Sequence, residues 1–395
     1  DMQLFALDAP LKAELLDIAS RHLSRGNYAT AASLFAELAE SAPEPEKRIQ
    51  AAEGLRVAKL LESCKTRIPE WRASLEQAWP GSSVSLAIDK SGLQLDLAGL
   101  QVTDLSPLVG IPLSGLKLHS KGVSSLSPLS GMRLLSLDIS GSAITSLDPL
   151  TAMPLEHLDI SGNPIESLAP LTRILTLKSL AADGCKLNSI ESLKGLPLES
   201  LNIANNSIDS LDPAAAMPLE FLDCSGNPVA NFPDALFSGS LKSLSADSCS
   251  ISSLPPLAGS KLERLSVNSN AIASLEPLRG SKLKILSAKA NQIESLAPLQ
   301  DCPKLESLSI EWNRVSSLIA IANLKLQTLH CDGNYIESLS PLKDMGSLRT
   351  FTLQMNYIQR LEPLSGLMSL GCLDISGNPV ESLSPLDTLS LDRLL

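Results

Sequence analysis

"LDISGNPIESLAPL" fills residues 158–171, and near-copies read "LDISGSAITSLDPL" at 137–150 and "LDISGNPVESLSPL" at 373–386. A period of two over Leu158-Asp159-Ile160 sends the two apolar residues to one side of a short strand and Asp159 to the other. Asn163, Ile165, Leu168 and Leu171 complete an inward set, so the phrase reads as one coil folded around its own apolar wall. Pro170-Leu171 suits the first position of a helical turn, where the missing proline N–H costs nothing.

Aligned on their leucines, copies begin at Leu113, Leu134 and Leu155, and continue in steps of 21 or 22 residues to Leu370. A degenerate copy begins near Gly92 and a truncated one at Leu391. About fourteen repeats of the form L-x-x-L-x-L-x-x-N/C-x-L thus occupy residues 92–395. Asparagine recurs at Asn163, Asn206, Asn227, Asn270, Asn291, Asn313, Asn334, Asn356 and Asn378. A buried amide is costly unless bonded, and a ladder lets each one serve the backbone of adjacent coils. Cys185 and Cys249 stand in the same column, while Cys224 and Cys331 replace the strand isoleucine; these read as structural thiols. A coil this short has no room for a strand and a full α-helix, so its convex side is expected to be 3₁₀ or extended.

The repeat resembles the short class of leucine-rich repeat found in bacterial internalins and in a regulatory subunit of a protein phosphatase. "SLSPLSGM" and "GIPLSGLKL" are also similar to arrays in large kinase-linked bacterial signalling proteins, although neither HRD nor DFG occurs in the chain. The resemblance implies an α/β solenoid: a right-handed superhelix with a parallel concave β-sheet, preceded by a small α-helical domain. It also implies a binding or scaffolding role, and carries over no catalytic residue.

Residues 1–80 have a different texture. Apolar spacings of three and four predict amphipathic helices. Gly26-Asn27-Tyr28, Ala31, Phe35 and Pro43 match the second helix of a tetratricopeptide repeat, a motif that normally occurs in tandem. "PEKRIQAAEGLRVAKLLESCKTRIP" and "EWRASLEQAW" are expected to form a degenerate second pair. Such helices can cap the open edge of a solenoid or form a peptide groove; Trp71 and Trp79 are placed to anchor against the first coil. Residues 81–97 read as a linker followed by a hairpin around Asp89-Lys90-Ser91-Gly92, expected to start the sheet. The chain begins at Asp1 and stops within a repeat at "LDRLL", so it is expected to belong to a longer protein or to have its last coil covered by a partner.

Composition narrows the function. Aromatics make up 3% of the chain against 44% hydrophobic residues, so leucine builds the core. A net charge of −11 opposes nucleic-acid binding, which needs clustered Lys and Arg. No apolar run is long enough to span a membrane, and no signal-peptide pattern opens the chain. Seven cysteines without paired spacing favour a reducing, cytoplasmic setting. No P-loop, G-x-S-x-G or H-E-x-x-H motif is present. His119 and His157 lie two coils apart, too far for one zinc ion. Ser309, His330, Thr352 and Asp374 share one outward column, with Asp332 on the strand of His330. Ser309 beside an imidazole is the one arrangement that could serve hydrolysis, but Ser and Asp fill that column throughout, and no oxyanion donor accompanies it.

The outward strand residues are small, polar and net acidic. Against that face, Trp312, Tyr335 and Tyr357 stand beside the ladder asparagines of three successive coils, next to Glu311, Arg314, His330, Asp332, Gln354 and Met355. Clustered exposed aromatics are the composition of an interaction hot spot. The expectation is a non-catalytic protein-interaction module without cofactor or metal, binding a protein, a basic surface or a peptide there. The alternatives are the sensor region of a kinase-linked signalling enzyme, or a secreted internalin-like adhesin.

Overall fold

The structure is a computed structural model that describes residues 9–42 and 44–395, with side chains from residue 14 onward. Pro43, the last position of the tetratricopeptide match, lies outside the described residues. The chain forms two compact units, Asp1–Asn163 and Pro164–Leu395.

In the first unit, helices α1 (Ala9–Ser24), α2 (Tyr28–Ser41) and α3 (Pro45–Ala78) precede the sheet. Ala31, Phe35 and Leu38 of α2 are buried with Ala19 of α1 and with Ala51 and Ala58 of α3. The two helices expected over 45–79 are one helix that continues through Pro69. An interior proline costs about 3 kcal/mol, but Leu61, Cys64, Trp71 and Leu75 are buried on either side of it. Burying each large apolar side chain contributes about 1.5–3 kcal/mol, so packing outweighs the local penalty. Trp71 and Trp79 are both buried, and the Trp79 indole Nε1 donates to the carbonyl of Asp104 in the first coil at 3.2 Å. Arg72 donates to the Leu86 carbonyl at 3.1 Å, so the helix is tied to the strands that follow.

Gly54 shows how tight this helical packing is. A Cβ there meets the Phe35 ring at 2.6 Å. Gly54→Ala gains about 1 kcal/mol of helix propensity, whereas overpacking a full core costs about 1–3 kcal/mol. Phe35 is itself buried, in one cluster with Ala19, Ala31, Leu38, Ala51 and Ala58. The variant is expected to be destabilised by about 1–2 kcal/mol net, seen as a lower urea midpoint; a more stable variant would show that the ring moves freely.

Strands β1 (Ser85–Asp89) and β2 (Gly92–Asp96) pair antiparallel, with Asp89 opposite Gly92 across the two-residue turn. Gly92 is needed there: its φ is +122°, and a Cβ would strike Ser114 Oγ. From β2 onward the pairing is parallel, through β3 (Leu113–Lys117), β4 (Ser136–Asp138) and β5 (His157–Asp159).

The second unit carries parallel strands β6 (Ser179–Ala181) through β16 (Arg393–Leu394), paired in chain order. Most coils return through a 3₁₀ turn such as Ala169–Arg173, with proline in its first two positions. "NFPDALFSG" departs from this with a short α4 (Ala235–Ser238), where Phe232 and Phe237 meet edge to face at 5.8 Å.

The phrase around residues 158–171 is now legible letter by letter. Leu158, Ile160, Asn163, Ile165, Leu168 and Leu171 are all buried. Asn163 Nδ2 donates to the carbonyls of Ile139 and Ile160, and its Oδ1 accepts from Ile144 N–H at 2.9 Å. Asp159 accepts from Ser161 N–H, and Ser167 Oγ accepts from Ala169 N–H ahead of the 3₁₀ turn. Short side chains that bond the backbone two residues on stabilise turns in this way, which explains why the serine recurs. The same Asp-to-Ser contact recurs at Asp138, Asp223 and Asp374, so these acids are partly spent on local structure.

Candidate functional site

The second unit presents the predicted site on strands β12 (Ser307–Ser309), β13 (Thr328–His330), β14 (Thr350–Thr352) and β15 (Cys372–Asp374). Ser309, His330, Thr352 and Asp374 are in register across them. No hydrogen bond joins the Ser309 side chain to the imidazole among the described residues. Instead His330 Nδ1 lies 2.9 Å from Thr352 Oγ1, whose hydroxyl donates to Asp332 Oδ2 at 2.9 Å. With its one proton committed to Asp332, the Thr352 oxygen is left to accept, so Nδ1 carries the ring proton. The chain of contacts fixes the imidazole and leaves Ser309 outside it.

Two of the outward acids are not solvated. Glu311 is 7% exposed and Asp374 is 4% exposed. Lys289, one coil earlier, reaches Glu311 Oε1 at 2.7 Å, and Glu311 Oε2 is buried without a hydrogen-bond partner. Asp374 accepts from Ser376 N–H and Oγ and from Gln354 Nε2 at 2.5 Å. Asp332 is held by Gln354 N–H at 2.7 Å besides Thr352. The polar floor is therefore a bonded network with one buried carboxylate oxygen left over. Behind it, burial pushes the Cys331 thiol well above its ordinary value, assisted by the charges of Asp332 and Glu311. A thiol held protonated in this way is a packing residue.

Above the floor stand Trp312, Tyr335, Met355 and Tyr357, each more than half exposed. Tyr335 and Tyr357 stack with centroids 6.3 Å apart and planes 19° from parallel. Trp312 and Met355 have φ values of +57° and +51°, in a column that holds Gly162, Gly226, Gly333 and Gly377 in other coils. The left-handed conformation costs an L-residue roughly 1–2 kcal/mol. Glycine in the next coil makes space for each large side chain: a Cβ at Gly333 would overlap the Trp312 ring, and one at Gly377 would lie 3.3 Å from Met355 Cγ. Arg314 flanks the strip and reaches Glu294 at 3.7 Å. Reading the aromatics as a cluster did not reveal the glycine sockets, although aligning Trp312 with Gly162 would have shown the strain.

Elsewhere, His119 pairs with Asp138 Oδ2 and with Ser140 Oγ, both at 3.0 Å. No cluster of three or more metal-ligating side chains occurs among the described residues, nor is any helix there long and apolar enough to cross a membrane.

Leucines on a short parallel strand, a bonded asparagine ladder and a 3₁₀ return define the leucine-rich repeat fold. Solved structures of that fold are similar to the chain. An internalin (InlF) from Listeria monocytogenes matches 84% of this chain and 96% of its own, at 22% identity and a TM-score of 0.65. A leucine-rich repeat protein from Leptospira interrogans covers 76% of this chain and 95% of its own, at 19% identity and a TM-score of 0.53. The Arabidopsis receptor kinase HAESA, solved with the peptide hormone IDA and the co-receptor SERK1, covers 81% of this chain and 65% of its own, at 20% identity and a TM-score of 0.61. No protein-family model matches the sequence, and no curated protein matches it.

Proposed function

We propose that the chain is a non-catalytic protein-interaction module whose second unit binds a protein or peptide segment across Trp312, Tyr335, Met355 and Tyr357. The observation that carries this reading is the conformational cost of the strip. Two large apolar side chains occupy backbone positions where glycine is the unstrained choice, and strain of this kind persists where the side chain has a use. Rigid aromatics present contact area at little entropic cost, and the acids beneath favour a partner with a basic group beside its apolar anchor. HAESA, solved with a peptide hormone, gives the fold a precedent for taking a peptide, and supports the choice of partner class.

Trp312→Gly separates recognition from folding. It removes the indole and relieves the left-handed backbone, so its melting temperature should equal or exceed that of the native protein. Crosslinking in cells should then lose the partners that the native chain captures, as should Trp312→Ala combined with Tyr335→Ala. A captured set that is the same for all three proteins would sink the assignment.

A further inference from the structure

A second recognition surface lies within the first unit. A groove of about 630 Å³ runs between α3 and the edge of the first coils. Val57, Leu60 and Leu61 of α3 form one wall, and Val109, Ile111 and Leu135 face them. Two departures from the repeat mark it as built for contact. Leu135 occupies a column that carries Glu156, Lys178, Glu199, Glu220, Lys242 and Glu263 in the next six coils, where Lys242 and Glu220 form an ion pair at 2.8 Å. Val109 is 67% exposed in a column that holds Ser130, Thr151, Thr172 and Lys194 in the coils after it. Apolar residues thus replace polar ones where the groove opens.

Charge at the rim is one-sided. Glu53 and Arg56 neutralise each other through paired contacts of 2.6 and 3.0 Å. Arg133 is exposed and makes no hydrogen bond or ion pair among the described residues. Its charge also acts on Glu53, so one carboxylate faces two guanidinium groups and the rim keeps a net positive charge. The wall beneath it includes Pro112, Pro128 and Pro154, which have no N–H to pair with an added strand. An occupant must therefore satisfy its own backbone, as a helix does. Val109 and Leu60 remain too open to water for a lone acyl chain to bury itself; a helix brings its own polar outer face.

We propose that this groove binds an amphipathic helix of a partner protein, with aliphatic residues at helical spacing on α3 and Val109, and an acidic residue meeting Arg133. The surface is independent of the aromatic strip.

The probe is a pair of labelled synthetic helices with one leucine stripe, differing only in Glu or Lys at the end that meets Arg133, read by fluorescence anisotropy on the full chain. The Glu helix should bind tighter than the Lys helix, and Arg133→Glu should reverse the order. Leu135→Lys should weaken the Glu helix about tenfold or more, because it buries a charge against apolar side chains. Its melting temperature should hold, since later coils carry lysine in this column at Lys178 and Lys242. Val109→Ser should act in the same direction, and Trp312→Gly should bind as the native chain does. Several results overturn the proposal: no binding of the Glu helix by native protein, equal affinity for both helices, or binding that survives Leu135→Lys and Val109→Ser. Self-association abolished by Leu135→Lys, without helix binding, would assign the groove to a second copy. Oleate binding without helix binding would assign it to an acyl ligand.

Discussion

Asn334→Ala is expected to be among the most destabilising single changes in the second unit. Asn334 Oδ1 accepts from Val315 N–H at 2.9 Å, and Nδ2 donates to the carbonyls of Ile310 at 2.9 Å and Cys331 at 3.1 Å. Truncation strands the buried Val315 N–H, at about 1–3 kcal/mol. It also takes one of two donors from each carbonyl, since Asn313 still reaches Ile310 O and Asn356 still reaches Cys331 O, both at 3.0 Å. The loss should therefore be about 2–3 kcal/mol, one stranded donor plus two weakened acceptors, and it should spread, because a solenoid is held together by nearest-neighbour contacts. Circular dichroism through a urea titration should show an earlier and broader transition. Asn334→Cys should fall between the two, since Cys249 already stands in this column and its thiol donates to the Cys224 carbonyl at 3.2 Å. A cysteine variant no better than alanine would contradict the ladder as described.

The second large effect belongs to Phe351. Its ring is fully buried, in register with Leu329 and Leu373. Phe351→Ala removes most of a large buried side chain and leaves a cavity, which costs about 3–5 kcal/mol. Phe351→Leu restores the residue that the adjoining coils use, so repacking should hold its cost below about 1.5 kcal/mol. Equal losses for the two variants would mean that this coil has a shape its neighbours lack.

These effects lie at positions that the repeat itself reveals. The wall leucines, the asparagine ladder, the hairpin and the 3₁₀ returns follow from local periodicity and turn chemistry, because every coil solves the same packing problem. Residues whose fate depends on distant partners were less legible. Pro69 carries a local helix-breaking signal, and only the burial of Trp71 and Leu75 overrides it. Glu311 reads as a solvated acid; its burial depends on Lys289 in the coil before. His330 reads as a neighbour of Ser309, yet its ring turns toward Thr352, a choice between two adjacent strands that spacing does not make. The groove joins Leu60 to Val109 and Leu135, residues that no local pattern links.

The left-handed column has a consequence for how such an array can change. Besides its glycines, it accepts Asn205, Ser248, Ser269 and Ala290 as well as Trp312 and Met355. None of these side chains belongs to the wall, so each can be exchanged without disturbing the core, provided the next coil leaves room as Gly333 does for Trp312. Each non-glycine residue still carries a conformational penalty, and folded domains hold only about 5–15 kcal/mol in reserve. Selection can therefore rewrite the specificity of this surface one coil at a time, but the number of coils decorated at once has a thermodynamic ceiling. Binding surfaces grafted onto this scaffold should obey the same ceiling, alternating bulky residues with glycine as Trp312 and Gly333 do.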